Sequence, residues 1–230
     1  MRFWLTHAAL PATLLFIITI LLEHSQFDVQ LANLFFDFEN RRWTAGESWW
    51  ANQLLHKAGR DFIALIAIFS LLGFLGSWLS NQLRPWRRAC GYAVLSIVLT
   101  TSLVFFGKKY TNVDCPWDLA MYNGSRPYVH IFSDKPDNID AGRCFPGGHS
   151  SGAFSLLFLY FLLRDKNRRL AFAGLGFALL LGSLYSYGQW VRGAHFLSHD
   201  VWSAFIAWFV ALVLYRGMFK GRVWPERHNK

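Results

Sequence analysis

Three short clusters in this sequence concentrate the residue types that can handle a phosphoryl group. The first holds Lys108 and Lys109, followed by Cys115 and Pro116. The second is Cys144-Phe145-Pro146-Gly147-Gly148-His149-Ser150. The third runs from Gly188 and Gln189 through Arg192 and His195 to His199 and Asp200. Two glycines ahead of His149, at the start of an apolar helix, leave backbone N–H groups free to hold an anion. Lys108 adds a compact positive charge, and Arg192 adds a planar fork that matches phosphate oxygens. Two histidines on different segments can divide the chemistry. One attacks phosphorus, and the other protonates the leaving oxygen. His199 and Asp200 then both stand as partners that could orient the nucleophilic imidazole, the carboxylate being better suited to a developing imidazolium.

The elements that must position these clusters are membrane helices. Of 230 residues, 53% are hydrophobic and 16% charged, whereas soluble domains carry about 25% charged residues. The 22 Phe and 11 Trp fit a chain with lipid on its outside, and only 7 Pro argue against a disordered one. Segments 62–79, 89–107 and 170–191 are apolar without a charge, and 5–22 contains only His7. Segments 147–163 and 201–215 are shorter but similarly flanked. Together they predict six spans in an all-α membrane bundle, with the whole of 1–230 as one domain. Arg2 precedes the first span, but no small-x-small cleavage site follows Leu22, so that span reads as an uncleaved anchor.

Loop charge sets the orientation. Segment 81–88 carries Arg84, Arg87 and Arg88, and 164–169 carries Arg164, Lys166, Arg168 and Arg169 against Asp165. The tail holds Arg216, Lys220, Arg222, Arg227 and Lys230 against Glu226. These three segments are expected in the cytoplasm, with both termini, and the connections 23–61, 108–146 and 192–200 outside. All three clusters then fall at the outer ends of their spans. The net charge of +9 alone would suit a nucleic-acid partner, but its distribution in short inter-span loops sets that partner aside. Segment 27–59, with Trp43, Trp49 and Trp50, is expected to lie along the outer interface.

Of the 3 cysteines, Cys115 and Cys144 share one outer loop, and Cys90 sits at an inner helix end. An exported loop is oxidising, so a Cys115–Cys144 disulfide is expected over two free thiols. Neither has a C-x-x-C partner for zinc. His7, His24, His56 and His130 read as interfacial or loop histidines without a partner cluster.

The clusters resemble the signature of the type 2 phosphatidic acid phosphatase family, which is related to bacterial acid phosphatases and vanadium haloperoxidases. That signature reads K-x6-R-P, then P-S-G-H, then S-R-x5-H-x3-D. Here Cys115 stands for the first arginine, Gly147 for the serine and Gln189 for the second arginine. Skipping the three residues after His195 lands on His199, with Asp200 one later. The resemblance implies His195 as nucleophile, His149 as general acid, and Lys108, Gly147 and Gly148 as phosphate holders. It also implies no metal or other cofactor, and no carboxylate pair flanks the histidines to build a magnesium site. Arg192, one helical turn from Gln189, is expected to reach the phosphate that an arginine at 189 would have held. Its plain alternative is an anchor to lipid headgroups. Arg143 and Lys109 both stand as candidates to cover for an arginine at 115.

The function expected is removal of phosphate from a lipid phosphate or diphosphate at the outer face of a bacterial-type inner membrane. Undecaprenyl diphosphate ranks ahead of lipid A phosphates and phosphatidylglycerophosphate. The alternatives are a lipid phosphotransferase using the same site, and a membrane binding or transport protein whose histidine site has decayed.

Overall fold

The computed structural model describes residues 1–219 except 132, 134 and 137. The tail residues Lys220, Arg222, Glu226, Arg227 and Lys230, used above for orientation, lie outside the described residues. Helix α1 (Arg2–Ser25) is followed by the short α2 (Phe27–Asn33) and a two-stranded ribbon, β1 (Phe36–Asp37) against β2 (Arg42–Trp43). Then come α3 (Trp50–Leu79), α4 (Arg84–Tyr110), α5 (Gly148–Leu163), α6 (Arg168–Trp190) and α7 (Leu197–Phe219). Among the described residues, α1, α3, α4, α6 and α7 are long and apolar enough to cross a membrane. Helix α5 is the short sixth, and a tighter turn at Ser155–Leu157 interrupts it. Six spans were expected. Five long helices and one short apolar helix stand in their places.

The sequence explains where these helices start and turn. Asn167 caps α6, its side chain accepting from the N–H groups of Arg169 and Leu170 at 2.9 and 3.1 Å. Gln26 takes a left-handed conformation (φ 56°) that ends α1 and redirects the chain into α2. Asp28 on α2 reaches the start of α7, its Oδ1 accepting from Ser198 N at 3.0 Å. That carboxylate supplies an acceptor to an N–H group that the first helical turn leaves without a partner.

The core lies where α5 is surrounded by α3, α4, α6 and α7. Phe154, Leu157, Phe158 and Phe161 of α5 pack with Ile63, Tyr92, Ile97, Tyr185, Leu212 and Tyr215. Small residues such as Ala153, Ala178, Ala207 and Ala211 are buried in the same cluster, and they let the helices approach closely. The large side chains elsewhere point outward: Phe69, Leu72, Phe105 and Leu180 are all more than half exposed. An apolar exterior around a tightly packed interior is what a lipid solvent requires, and this chain is an all-α, multi-pass membrane bundle.

Connections alternate between the two ends of the bundle. The described residues of 26–49, 111–147 and 191–196 gather at one end, tied by Ala45 N to Val191 O at 3.1 Å and Trp117 N to Gly193 O at 2.9 Å. The turns 80–83 and 164–167, with Arg84, Arg87, Arg164, Lys166 and Arg168 in or beside them, lie at the other.

Candidate active site

The helix ends at the first of these faces deliver every residue of the three clusters. Lys108 is on the last turn of α4, Gly148 and His149 open α5, and Gln189 and Trp190 close α6. His195 is in the turn that follows, and His199 and Asp200 lie in the first turn of α7.

His195 and Asp200 form the tightest pair. His195 Nδ1 is 3.0 Å from Asp200 Oδ1, and both side chains are buried. Trp190 Nε1 donates to Asp200 Oδ2 at 2.7 Å, and Ser150 Oγ donates to Oδ1 at 2.5 Å. Three donors from α5, α6 and the following turn therefore converge on one carboxylate. A carboxylate so held fixes the imidazole with a proton on Nδ1, leaving the Nε2 lone pair free.

His199 faces elsewhere. Its ring stands edge-on to Phe145 and Phe196, 5.5 and 5.6 Å between centroids, and neither ring nitrogen has a hydrogen-bond partner. Of the two residues left open in the sequence, Asp200 is the one hydrogen-bonded to His195, while the His199 ring only packs 5.9 Å from the His195 ring.

Gly147 is required by this arrangement. A Cβ there would stand 2.1 Å from Asp200 Oδ1 and 3.0 Å from His195 Nδ1. Its backbone is pinned on both sides, with N donating to His199 O at 2.8 Å and O accepting from Ser203 Oγ at 2.7 Å. No side chain caps the N-terminus of α5, so its first N–H groups remain open to an anion. Lys108 covers that terminus: its Nζ is 3.2 Å from where a Cβ on Gly148 would stand.

His149 is half-buried and stacked on Tyr185 at 4.9 Å with the rings within 17° of parallel. Its Nε2 is 2.9 Å from Leu55 O. His56, set aside above as a histidine without a cluster, is 4.6 Å from His149 ring to ring. Gln189 Nε2 is 3.5 Å from His56 Nδ1, and Arg192 Nη1 is 3.4 Å from Gln189 Oε1. His56 therefore does have a partner cluster: α3 carries it beside His149 and Gln189. No motif surrounds it in the sequence, and only its place in the Trp-rich segment 27–59 is a signal for it.

Arg192 was expected on a helix with Gln189. Helix α6 instead closes at Trp190, and Arg192 lies in the turn beyond. Its N still bonds Gln189 O at 3.3 Å, so the guanidinium keeps its reach to the Gln189 side chain. Burial lowers the Arg192 pKa from its ordinary value, yet guanidinium remains cationic at neutral pH.

Cys115 and Cys144 are joined in a disulfide with their Cα atoms 5.1 Å apart. It ties the segment after α4 to the one before α5, beside Cys144 N donating to Val113 O at 2.9 Å. Lys109 and Arg143 are both exposed. Nearby, Asp114 is paired with Arg126 and, at 2.6 Å, with Lys135. Among the described residues, no group of three or more His, Cys, Asp or Glu side chains is arranged to hold a metal.

Segment 27–59 packs against the candidate site. Trp43 covers the turn at Gly193, where φ is +72° and a Cβ would stand 2.0 Å from the indole. Only glycine meets both demands. Trp50 stacks with Tyr187 at 6.1 Å, and Leu55 and His56 wall the His149 side.

Comparison with known proteins adds one match. The model of the PAP2 superfamily matches residues 89–222, a stretch that contains all three clusters. No curated protein and no solved structure matches the chain.

Proposed function

This chain belongs to the PAP2 superfamily, whose activity is that of a phosphatase on lipid-like phosphates, and from that premise we propose a lipid diphosphate phosphatase working through phospho-histidine. The observation that carries the reading is the His195–Asp200 pair, 3.0 Å apart, set beside Lys108 and the uncapped start of α5. His195 Nε2 attacks phosphorus as the bond to the leaving oxygen breaks. The leaving oxygen takes a proton from His149. Asp200 holds the resulting imidazolium, and Lys108 with the open N–H groups of the first turn of α5, from Gly148 onward, balances charge on the phosphoryl oxygens; the Gly147 N–H, expected to share that task, is taken by His199 O. Water then attacks the phospho-histidine, gives a proton to His149 and releases phosphate. Arg192, bridged to Gln189, takes up the cationic role of the motif arginine at 189. The donor set supports a route that needs no metal.

The site lies at the end of the bundle opposite the basic residues in and beside the turns 80–83 and 164–167, which supports an outward-facing site on an inner membrane with both termini inside. A single domain spanning 1–230 fits the shared core of α3 to α7. A substrate whose tail stays in lipid and whose phosphate reaches the helix ends suits this geometry, and undecaprenyl diphosphate is ranked first.

The test is phosphate release by purified protein in detergent with EDTA. The panel is undecaprenyl diphosphate, lipid A, phosphatidylglycerophosphate and phosphatidic acid, beside His195→Ala and His149→Ala. Release that survives EDTA and is lost in both variants supports the mechanism and ranks the lipids. Activity persisting in His195→Ala would remove it as nucleophile. Transfer to a second lipid without phosphate release would make the protein a phosphotransferase.

A further inference from the structure

A second polar site lies at the other end of the bundle. Between α1, α5, α6 and α7 is a cleft of about 710 Å³ whose lining includes Arg2, Arg164 and Arg168 and no carboxylate. Its depth is set by a packed unit. His7 Nε2 is 2.9 Å from Tyr160 OH and 3.1 Å from Arg164 Nη1, and Trp208 Nε1 donates to His7 O at 2.8 Å. Phe172, Leu175 and Trp208 give it an apolar floor.

The charge in this cleft is mostly uncompensated. Asp165 stands 3.7 Å from Arg164 Nε but also accepts from Tyr215 OH at 2.8 Å. Arg2 and Arg168 form no ion pair with a described residue, and the contact of Arg168 is with the Phe172 ring at 5.7 Å. Three guanidinium groups at the mouth of one cleft attract a group carrying several anionic oxygens. The apolar floor continues inward to Trp208, 11 residues into α7, and a free ion would leave that surface uncovered. Head and tail requirements coincide in a lipid, and basic pockets between membrane helices commonly hold anionic headgroups.

We propose that this cleft binds the phosphate headgroup of an anionic glycerolipid in the leaflet opposite the His195 site. The headgroup is held by Arg2, Arg164 and Arg168, and an acyl chain lies against Phe172, Leu175 and Trp208. The site is separate from the catalytic face and does not depend on the reaction assigned there.

Binding is measured by native mass spectrometry on the full chain carrying Lys108→Ala and His195→Ala, so that the catalytic face contributes little. The probes are dioleoyl phosphatidylglycerol, dioleoyl phosphatidylcholine and inorganic phosphate. The expected result is phosphatidylglycerol binding at least tenfold tighter than phosphatidylcholine. Adding Arg2→Ala with Arg168→Ala should erase that preference. Adding Arg84→Ala with Arg169→Ala, exposed arginines at the same end outside the cleft, should leave it intact. Circular dichroism checks the fold, and Arg168→Glu alone provides a second variant with the same expected loss. No preference for phosphatidylglycerol, or equal loss in both arginine pairs, would overturn the site. Phosphate binding as tightly as phosphatidylglycerol through the same arginines would overturn the lipid assignment in favour of a free anion.

Discussion

Gly147 and Asp200 occupy adjoining space so closely that a Cβ on residue 147 would stand 2.1 Å from Asp200 Oδ1. This contact links two departures from the family pattern. Glycine replaces serine at 147, and the acid beside His195 is one position later than the pattern places it. The carboxylate uses the volume that a serine side chain would have filled.

Substituting Gly147→Ser should therefore push the Asp200 carboxylate away from His195. A displacement of about 1 Å at a reacting group costs about 10²-fold in rate. Steady-state kinetics should show that loss in kcat with retained circular dichroism. Wild-type activity in Gly147→Ser would show that the dyad tolerates the shift.

Asp200→Asn preserves shape but removes the charge that selects the Nδ1–H form of His195. A fall in kcat of about 10²- to 10⁴-fold is expected, on the scale seen when a triad acid is neutralised. His199→Leu gives the contrasting result. It removes a buried ring whose nitrogens have no partner, so activity should stay within about twofold and stability should hold or rise by about 1 kcal/mol. A large activity loss in His199→Leu would return the orienting role to that residue.

His56 positions the acid side of the site. Its ring packs 4.6 Å from His149 and lies beside Gln189. His56→Ala should lower kcat about tenfold while KM changes little, and His56→Gln should recover part of the loss. His149→Ala should cost more, about 10²-fold or beyond, as removal of a general acid does. Equal losses from the two alanine variants would give His56 a share in proton transfer.

The Cys115–Cys144 bond closes a loop with a sequence separation of 29. By loop-closure entropy it stabilises the fold by about 3–4 kcal/mol. The double variant Cys115→Ser, Cys144→Ser should melt at lower temperature and lose activity on heating before the wild type does. Matching melting curves would show that the helices alone hold this loop.

Asp28 makes stability depend on pH. Burial, opposed by its hydrogen bonds to Ser198, pushes its carboxyl up to about 6 from 3.8. The folded value exceeds the unfolded one, so ionisation disfavours the fold. The contribution is full below about pH 4 and is lost as pH rises through about 6, a swing of about 3 kcal/mol. Asp28→Asn can keep the acceptor for Ser198 N without ionising. Its melting temperature should vary less between pH 4 and 7 than that of the wild type. Parallel curves would place the titration elsewhere.

Much of this was legible in the residue order because a bilayer imposes a simple rule. Each crossing must satisfy its own backbone and present apolar side chains, so spans appear as uncharged runs and their ends as polar clusters. The runs at 62–79, 89–107 and 170–191 each lie within a helix or end one residue beyond it. Alternating crossings then bring Lys108, His149 and His195 to one face without any knowledge of packing. His56 could not be found that way. It lies on the first turns of a helix remote in sequence from His149, and their meeting depends on how α3 leans against α6, where Tyr185 OH donates to Gly59 O at 2.9 Å.

The residue types and spacing by themselves determined that this is a membrane bundle with a histidine, lysine and glycine cluster at one end. Which neighbour serves His195 was decided only in three dimensions. One step along a helix turns a side chain by about 100°, so the rotation of α7 sends Asp200 to His195 and His199 to the aromatic wall. That rotation is set by contacts from other helices: Asp28 on Ser198, Ser203 on Gly147 O, and Trp190 on Asp200.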